Sequence, residues 1–190
     1  MPQGAGALRI TAGSLRGRRV SVPPGDVRPT SERARQAYFN IISAQISGAR
    51  FLDLFAGSGI FSFEALSRGA QSAVAVDQSG PNVALIAKTA EALGVSVETV
   101  TADAVKVAGR LGAREVDLVY ADPPYDFGRY DELLQSIDAL PLGENGVVAV
   151  EHRRRTEPFT IQPQSLTFWR LAEYGEVRIS FFLRRARPLQ

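Results

Sequence analysis

The sequence has 190 residues, 45% of them hydrophobic, with one histidine and no cysteine, a length that suits one domain with a core large enough to fold unaided. Without cysteine there are no disulfides, thiolate metal sites or cysteine nucleophiles, and His152 alone leaves too few ligands for a zinc site, so no metal is expected. No run approaches the roughly 18 apolar residues of a membrane helix, and Arg9 interrupts a Gly- and Ala-rich start that has no apolar core for a signal peptide, so a cytoplasmic protein is expected.

The net charge of +2 conceals a segregation: residues 1–40 carry +5, residues 41–150 carry −7 and residues 151–190 carry +4. All basic residues but Lys88 and Lys106 are arginine, whose planar fork suits phosphates and base edges. Basic ends flanking an acidic body fit a polyanionic partner such as nucleic acid.

In chain order, residues 8–23 read as two short strands joined by a turn near Gly13 to Gly17, with Arg16, Arg18 and Arg19 clustered there. This predicts a basic β-arm over residues 1–27, ahead of one globular unit over residues 28–190. Arg28-Pro29-Thr30-Ser31-Glu32-Arg33 opens a helix through about Ile46, capped by Thr30 or Ser31, with Ala34, Ala37, Tyr38, Ile41 and Ile42 as its buried stripe. Arg33 and Arg35 oppose the macrodipole there, which points to another task such as phosphate contact.

Strands are predicted at 50–55, 72–77, 95–101, 116–121 and 145–151, and helices at 59–68, 80–93, 104–111 and 129–139. Such alternation predicts a doubly wound, mostly parallel sheet with helices on both faces. Two β-type runs follow, Leu166 to Ala172 and Val177 to Arg184, joined by a turn over Glu173 to Glu176 into an antiparallel hairpin. His152 reads as structural, and Phe168 and Trp169 as packing residues of that hairpin. Arg153-Arg154-Arg155 fits an RNA contact and a solvated loop equally well.

Asp53-Leu54-Phe55-Ala56-Gly57-Ser58-Gly59 runs from a buried strand through a Gly-x-Gly turn into a helix, where a ligand can approach the backbone. Ser62 stands where a dinucleotide fingerprint needs glycine or alanine, and Asp53 would oppose a pyrophosphate. A cationic ligand with an α-amino group fits better. Asp77 ends the next strand, where an acid can accept from ribose hydroxyls; Asp103, before Ala104, is placed to read an adenine amino group. Asp122-Pro123-Pro124-Tyr125 stops the fourth strand with a stiff loop, because neither proline can extend it. Four acids at successive strand ends share one rim.

This series resembles the seven-stranded S-adenosylmethionine-dependent methyltransferases, and Asp-Pro-Pro-Tyr resembles those that methylate an exocyclic amine. More narrowly, Arg9-Ile10-x-Ala12-Gly13-x-x-Arg16-Gly17-Arg18, Arg28-Pro29-Thr30-x-x-Arg33, Leu52 to Gly59 and Glu64 to Ala70 are similar to the bacterial small-subunit (16S) rRNA guanine-N2 methyltransferase family, the RsmD type. That family usually has glutamate where Asp77 stands and asparagine where Thr89 stands.

The resemblance implies a seven-stranded sheet with a C-terminal hairpin, and methyl transfer from S-adenosyl-L-methionine to the N2 of a guanine in 16S rRNA. The RNA is expected within a small-subunit assembly particle, and the enzyme as a monomer. Asp122, Pro123, Pro124 and Tyr125 would act on the base. Asp53, Phe55, Ala56, Gly57, Ser58, Gly59, Asp77, Gln78, Asp103, Ala104 and Asp122 would hold the cofactor. Arg16, Arg18, Arg19, Arg28 and Arg33 would bind RNA. The rivals are a DNA adenine-N6 methyltransferase, for whose recognition domain 190 residues leave no room, and a non-catalytic RNA-binding module with the same fold.

Overall fold

The computed structural model describes residues 6–23, 32–154 and 158–185. Arg28, Pro29, Thr30, Ser31 and Arg155 lie outside the described residues. Strands β1 (Ala7–Arg9) and β2 (Arg19–Ser21) form an antiparallel pair, and helix α1 (Glu32–Ile41) follows. The main body alternates β3 (Arg50–Leu54), α2 (Ile60–Ser67), β4 (Ser72–Asp77), α3 (Gly80–Leu93) and β5 (Glu98–Thr101). A 3-10 turn at Ala104–Lys106 leads into α4 (Val107–Leu111), β6 (Val116–Ala121), α5 (Tyr130–Asp138) and β7 (Leu142–Arg153). The hairpin β8 (Leu166–Tyr174) and β9 (Val177–Arg184) closes the chain.

The seven-stranded sheet has the order β5-β4-β3-β6-β7-β9-β8. Its first five strands are parallel, and β9 enters antiparallel between β7 and β8. The order reverses between β3 and β6, the point at which a doubly wound sheet opens a crevice beyond its strand carboxyl ends. Phe51, Leu118, Tyr120 and Phe181 face α1, α2 and α3 on one side, while Leu52, Val119, Val148 and Phe182 face α4 and α5 on the other. With both faces covered, the central strands are apolar nearly throughout.

Several expected boundaries shift for local reasons. Helix α1 stops at Ile41 rather than Ile46 and a series of turns follows, although Ile42 and Ile46 stay buried. Its buried face holds Ala34, Arg35, Tyr38 and Phe39, while Ala37 and Ile41 are only half-buried. Arg35 is fully buried and donates to the Arg9 carbonyl at 2.8 Å, so it cannot reach a phosphate. Strand β5 begins at Glu98 rather than 95, because the Val95 N–H bonds back to the Ala90 carbonyl and stays with the end of α3. The expected helix over 104–111 divides at Lys106, whose φ of −113° departs from helical geometry. Strand β8 extends to Tyr174, so the hairpin turn narrows to Gly175 and Glu176.

The N-terminal hairpin is docked on the body. Ile10 and Val20 belong to the core, and the Glu64 carboxylate, wholly buried in α2, accepts from the Thr11 N–H and hydroxyl and pairs with Arg68 at 2.9 Å. At the end of α2, Ser67 accepts from the Leu15 N–H and donates to the Ala12 carbonyl. A side chain on Gly13 would begin 1.7 Å from the Ser67 carbonyl oxygen, so this contact requires glycine.

Candidate active site

The rim is built from the ends of β3, β4, β6 and β7. After β3 the chain turns sharply: Phe55 has a positive φ of 60°, the Ala56 N–H bonds to the Val76 carbonyl, and the Gly59 N–H returns to the Ala56 carbonyl at 2.7 Å. A non-glycine residue in that conformation is strained and must be held by its surroundings. The edge-on contact of Phe55 with Phe127, 5.2 Å between ring centres, supplies part of the hold. Gly59 has φ 74°, and a Cβ there would lie 3.0 Å from Ile86.

Two rim acids hold this turn. Asp53 is buried in β3, and its Oδ2 accepts from the Ser62 N–H at 3.0 Å and hydroxyl at 2.8 Å. Ser62, at the position that breaks a dinucleotide fingerprint, therefore has a structural task of its own. Asp77 ends β4; its Oδ2 accepts from the Gly57 N–H, and its Oδ1 from the Ser79 N–H and the Asn82 side chain. The Gly57, Gly59 and Ser62 N–H groups at this turn are thus already engaged within the chain. Ala56 and Ser58 are buried, and Gln78 is exposed beside Asp77.

The loop after β6 passes over these ends. The Asp122 N–H bonds to the Leu54 carbonyl at 3.3 Å, which places its residue beside the glycine turn. Pro123 is buried, while Pro124 carries its carbonyl into a turn closed by the Phe127 N–H. Tyr125 is half exposed, with the Arg153 guanidinium 4.2 Å from its ring centre, a cation–π contact. Further on, Arg129 pairs with Asp103 at 3.1 Å, tying this loop to the end of β5. Asp103 also caps the 3-10 turn through the Val105 N–H, and Ala104 is buried beneath it.

Sequence reasoning missed Glu151, an acid at the end of β7 that follows the same strand-end pattern as the other four. It is buried and accepts the Tyr120 hydroxyl at 2.5 Å. Tyr120 in turn stacks on Phe61 at 3.8 Å and lies against Tyr38. His152, expected past the strand, lies within β7, with its Nε2 2.9 Å from the Ser180 hydroxyl. Phe168 and Trp169 pack the hairpin as expected, edge-on to Phe182 and Phe181 of β9 at 5.9 Å and 6.0 Å, yet they remain 56% and 39% exposed, because β8 is the sheet edge and is bulged between Phe168 and Arg170.

The electrostatics follow from burial. Desolvation raises the Asp53 carboxyl to about 7 despite the two Ser62 hydrogen bonds, with Asp122 and Asp77 adding to the rise. Desolvation likewise raises Glu151 to about 8, reinforced by Asp122. At Asp103, burial favours the neutral acid, but the Arg129 and Val105 hydrogen bonds and the nearby cations together lower the pKa. Asp53 and Glu151, both raised in part by the neighbouring Asp122, make a site that favours a cation. A sulfonium carrying an ammonium group fits such a donor set. Among the described residues, no group of three or more His, Asp or Glu side chains is placed to hold a metal, and no helix is long and apolar enough to cross a membrane.

Of the expected RNA-contacting residues, Arg18 lies far from this rim. Arg16, Arg18, Arg19 and Arg33 are exposed. Arg18 donates to the Ala92 carbonyl, close to the end of α3. That helix begins beside the rim, and 14 residues carry it roughly 21 Å away. Arg28 lies outside the described residues.

A doubly wound sheet with an antiparallel terminal hairpin, and a crevice lined by a glycine turn and strand-end acids, defines a methyltransferase-type domain. Residues 8–183 match the family described as Conserved hypothetical protein 95. The chain is 31% identical over 187 residues to Ribosomal RNA small subunit methyltransferase D of Escherichia coli (strain K12), covering 96% of this chain and 93% of that protein. It is also 31% identical over 185 residues to YlbH of Bacillus subtilis (strain 168), covering 94% and 100%. The solved structure of the yhhF protein of Escherichia coli superposes with a TM-score of 0.81 at 28% identity, covering 96% of this chain and 100% of that one. The chain belongs to the ribosomal RNA small subunit methyltransferase D family, within the S-adenosylmethionine-dependent methyltransferases.

Proposed function

We propose that this chain transfers a methyl group from S-adenosylmethionine to the exocyclic N2 of a guanine in small-subunit rRNA. The observation that carries the reading is the bond from the Asp122 N–H to the Leu54 carbonyl, which brings this loop beside the glycine turn at the switch point of the sheet, with Asp122 close enough to raise the Asp53 and Glu151 carboxyls. When bound, the cofactor supplies an electrophilic methyl on a sulfonium. Asp53, Phe55, Ala56, Gly57, Ser58, Gly59, Asp77, Gln78, Asp103 and Ala104 form its surroundings.

An exocyclic amino group is a poor nucleophile, because its lone pair is delocalised into the ring. The chain's task is to hold that nitrogen in line and to accept its hydrogens, so that the lone pair localises. Asp122 and the Pro123 carbonyl are the two acceptors, and the prolines keep them fixed. Tyr125, steadied by Arg153, offers a stacking surface to a base that is unpaired or flipped out. The bound cofactor would supply the methyl and leave as its thioether, and Asp122 would accept the proton that N2 releases and pass it to solvent.

Phosphate contacts come from Arg16, Arg18, Arg19, Arg28 and Arg33. The substrate is expected as rRNA within an assembling small subunit, and the enzyme as a monomer in the cytoplasm. Asp122→Ala tests the reading: methyl transfer is lost while titration calorimetry still shows S-adenosylmethionine binding within a few-fold of wild type. Near-normal turnover by that variant would remove Asp122 from the chemistry.

A further inference from the structure

A second cavity lies outside the rim. It occupies about 490 Å³ between the β8–β9 hairpin and the segment over residues 158–163, within the size range of small-ligand sites. Its floor is Phe182, and the rings of Phe159 and Phe168 stand nearly perpendicular to it, at 5.3 Å and 5.9 Å between centres and 86° and 81° between planes. The result is an aromatic slot on a surface where Phe168 is 56% exposed.

Among the described residues the lining carries Arg178 and Arg185 and no carboxylate. Each arginine is anchored through its Nε, Arg178 on Glu173 at 2.6 Å and Arg185 on the Leu166 carbonyl at 3.1 Å. That anchoring keeps the terminal nitrogens of each fork as phosphate donors. An aromatic cage for a cation would not carry two guanidinium groups in its wall. Flat apolar faces beside fixed positive charge are the makings of a single-strand nucleic-acid site.

His152 lines the slot and pairs with Arg178 in the sheet register, and its neighbour in β7, Arg153, stands over Tyr125 at the rim. Tyr130, in the helix that follows the Asp122 loop, stands edge-on to both His152 and Phe159.

We infer that the Phe159–Phe168–Phe182 slot takes one unpaired nucleotide of an RNA strand, its base against the rings and its phosphate on Arg178 and Arg185. The inference deepens the rRNA reading and rests on it for the identity of the strand, while the stacking itself can be read without methyl transfer.

The test is fluorescence anisotropy of a short, labelled, unstructured oligoribonucleotide with the full chain. Phe168→Ala is expected to weaken binding roughly tenfold, on the scale of one base stack, and Phe168→Trp to retain it. Arg178→Ala is expected to reduce the slope of log affinity against log salt by about one. Phe168 is exposed, so circular dichroism should show each variant folded. Equal affinity for wild type and Phe168→Ala would overturn the inference. So would a Phe168→Ala defect confined to assembled subunits, which would assign the slot to a protein partner. A wild type that binds through Phe168 yet methylates no rRNA would support the slot and sink the proposed activity.

Discussion

The Asp77 carboxylate accepts the Gly57 N–H at 2.8 Å, so the acid that ends β4 fixes the glycine turn that follows β3. The same side chain also takes the Ser79 N–H and so positions the start of α3. The acid proposed to meet a ribose thus also holds together the two strand ends between which a ligand would lie. Hydrogen bonds to a charged group contribute about 1.5–3 kcal/mol each. Asp77→Ala is therefore expected to weaken S-adenosylmethionine binding by at least tenfold in calorimetry and to lower the urea midpoint. Asp77→Glu should recover most of both. Unchanged affinity in Asp77→Ala would remove this tie from the account.

Gly59 sits at φ 74° with Ile86 3.0 Å from any added Cβ. Gly59→Ala combines backbone strain with a clash and should cost about 1–3 kcal/mol in denaturant unfolding. A variant as stable as wild type would mean that the turn can relax.

The docked hairpin gives a sharper case. With only 1.7 Å to the Ser67 carbonyl oxygen, Gly13→Ala must push the Gly13–Gly17 turn off α2. The expected outcome is a lower Tm together with weaker RNA binding, since Arg16 and Arg18 move with the turn. Hydrogen exchange should show lost protection at Ser14 and Leu15, whose N–H groups bond to Ser67. Retained protection would contradict the docking.

The buried acids set a pH dependence with a definite sign. Asp53 rises from 3.8 to about 7 and Glu151 from 4.5 to about 8, both first through desolvation. Over those intervals the folded protein holds protons that the unfolded chain has released, so stability falls as pH rises through them. The urea midpoint should decline between about pH 5 and 8, and less steeply in Asp53→Asn and in Glu151→Gln. The same slope in wild type and both variants would show that neither group titrates differently on folding.

Much of this architecture was legible in the residues. Alternating apolar runs and helical stripes marked the parallel strands, because a strand buried on both faces must be apolar throughout, and the two runs after Glu151 marked the hairpin. The strand-end acids were legible as a series, whereas their partners were not. Ser62 read as a missing glycine, and only the fold shows its N–H and hydroxyl on Asp53. Arg35 read as an exposed cation, but the docking of Arg9 buries it. Glu151 ended the strand predicted over 145–151 and was legible there as a fifth acid of the series, whereas its partner, the Tyr120 hydroxyl, was not. The exposure of Phe168 depends on β8 being the sheet edge, which sequence order alone does not fix.

The central claim is methyl transfer to a guanine N2 in small-subunit rRNA, and mass mapping of methylated nucleotides tests it most directly. The rRNA should be taken from cells lacking this gene and mapped before and after incubation with the purified protein and S-adenosylmethionine. The account expects one N2-methylguanine to be missing in the small-subunit rRNA and restored by the wild-type protein, but not by Asp122→Ala. An unaltered methylation map, or a modification restored at an adenine, would contradict it.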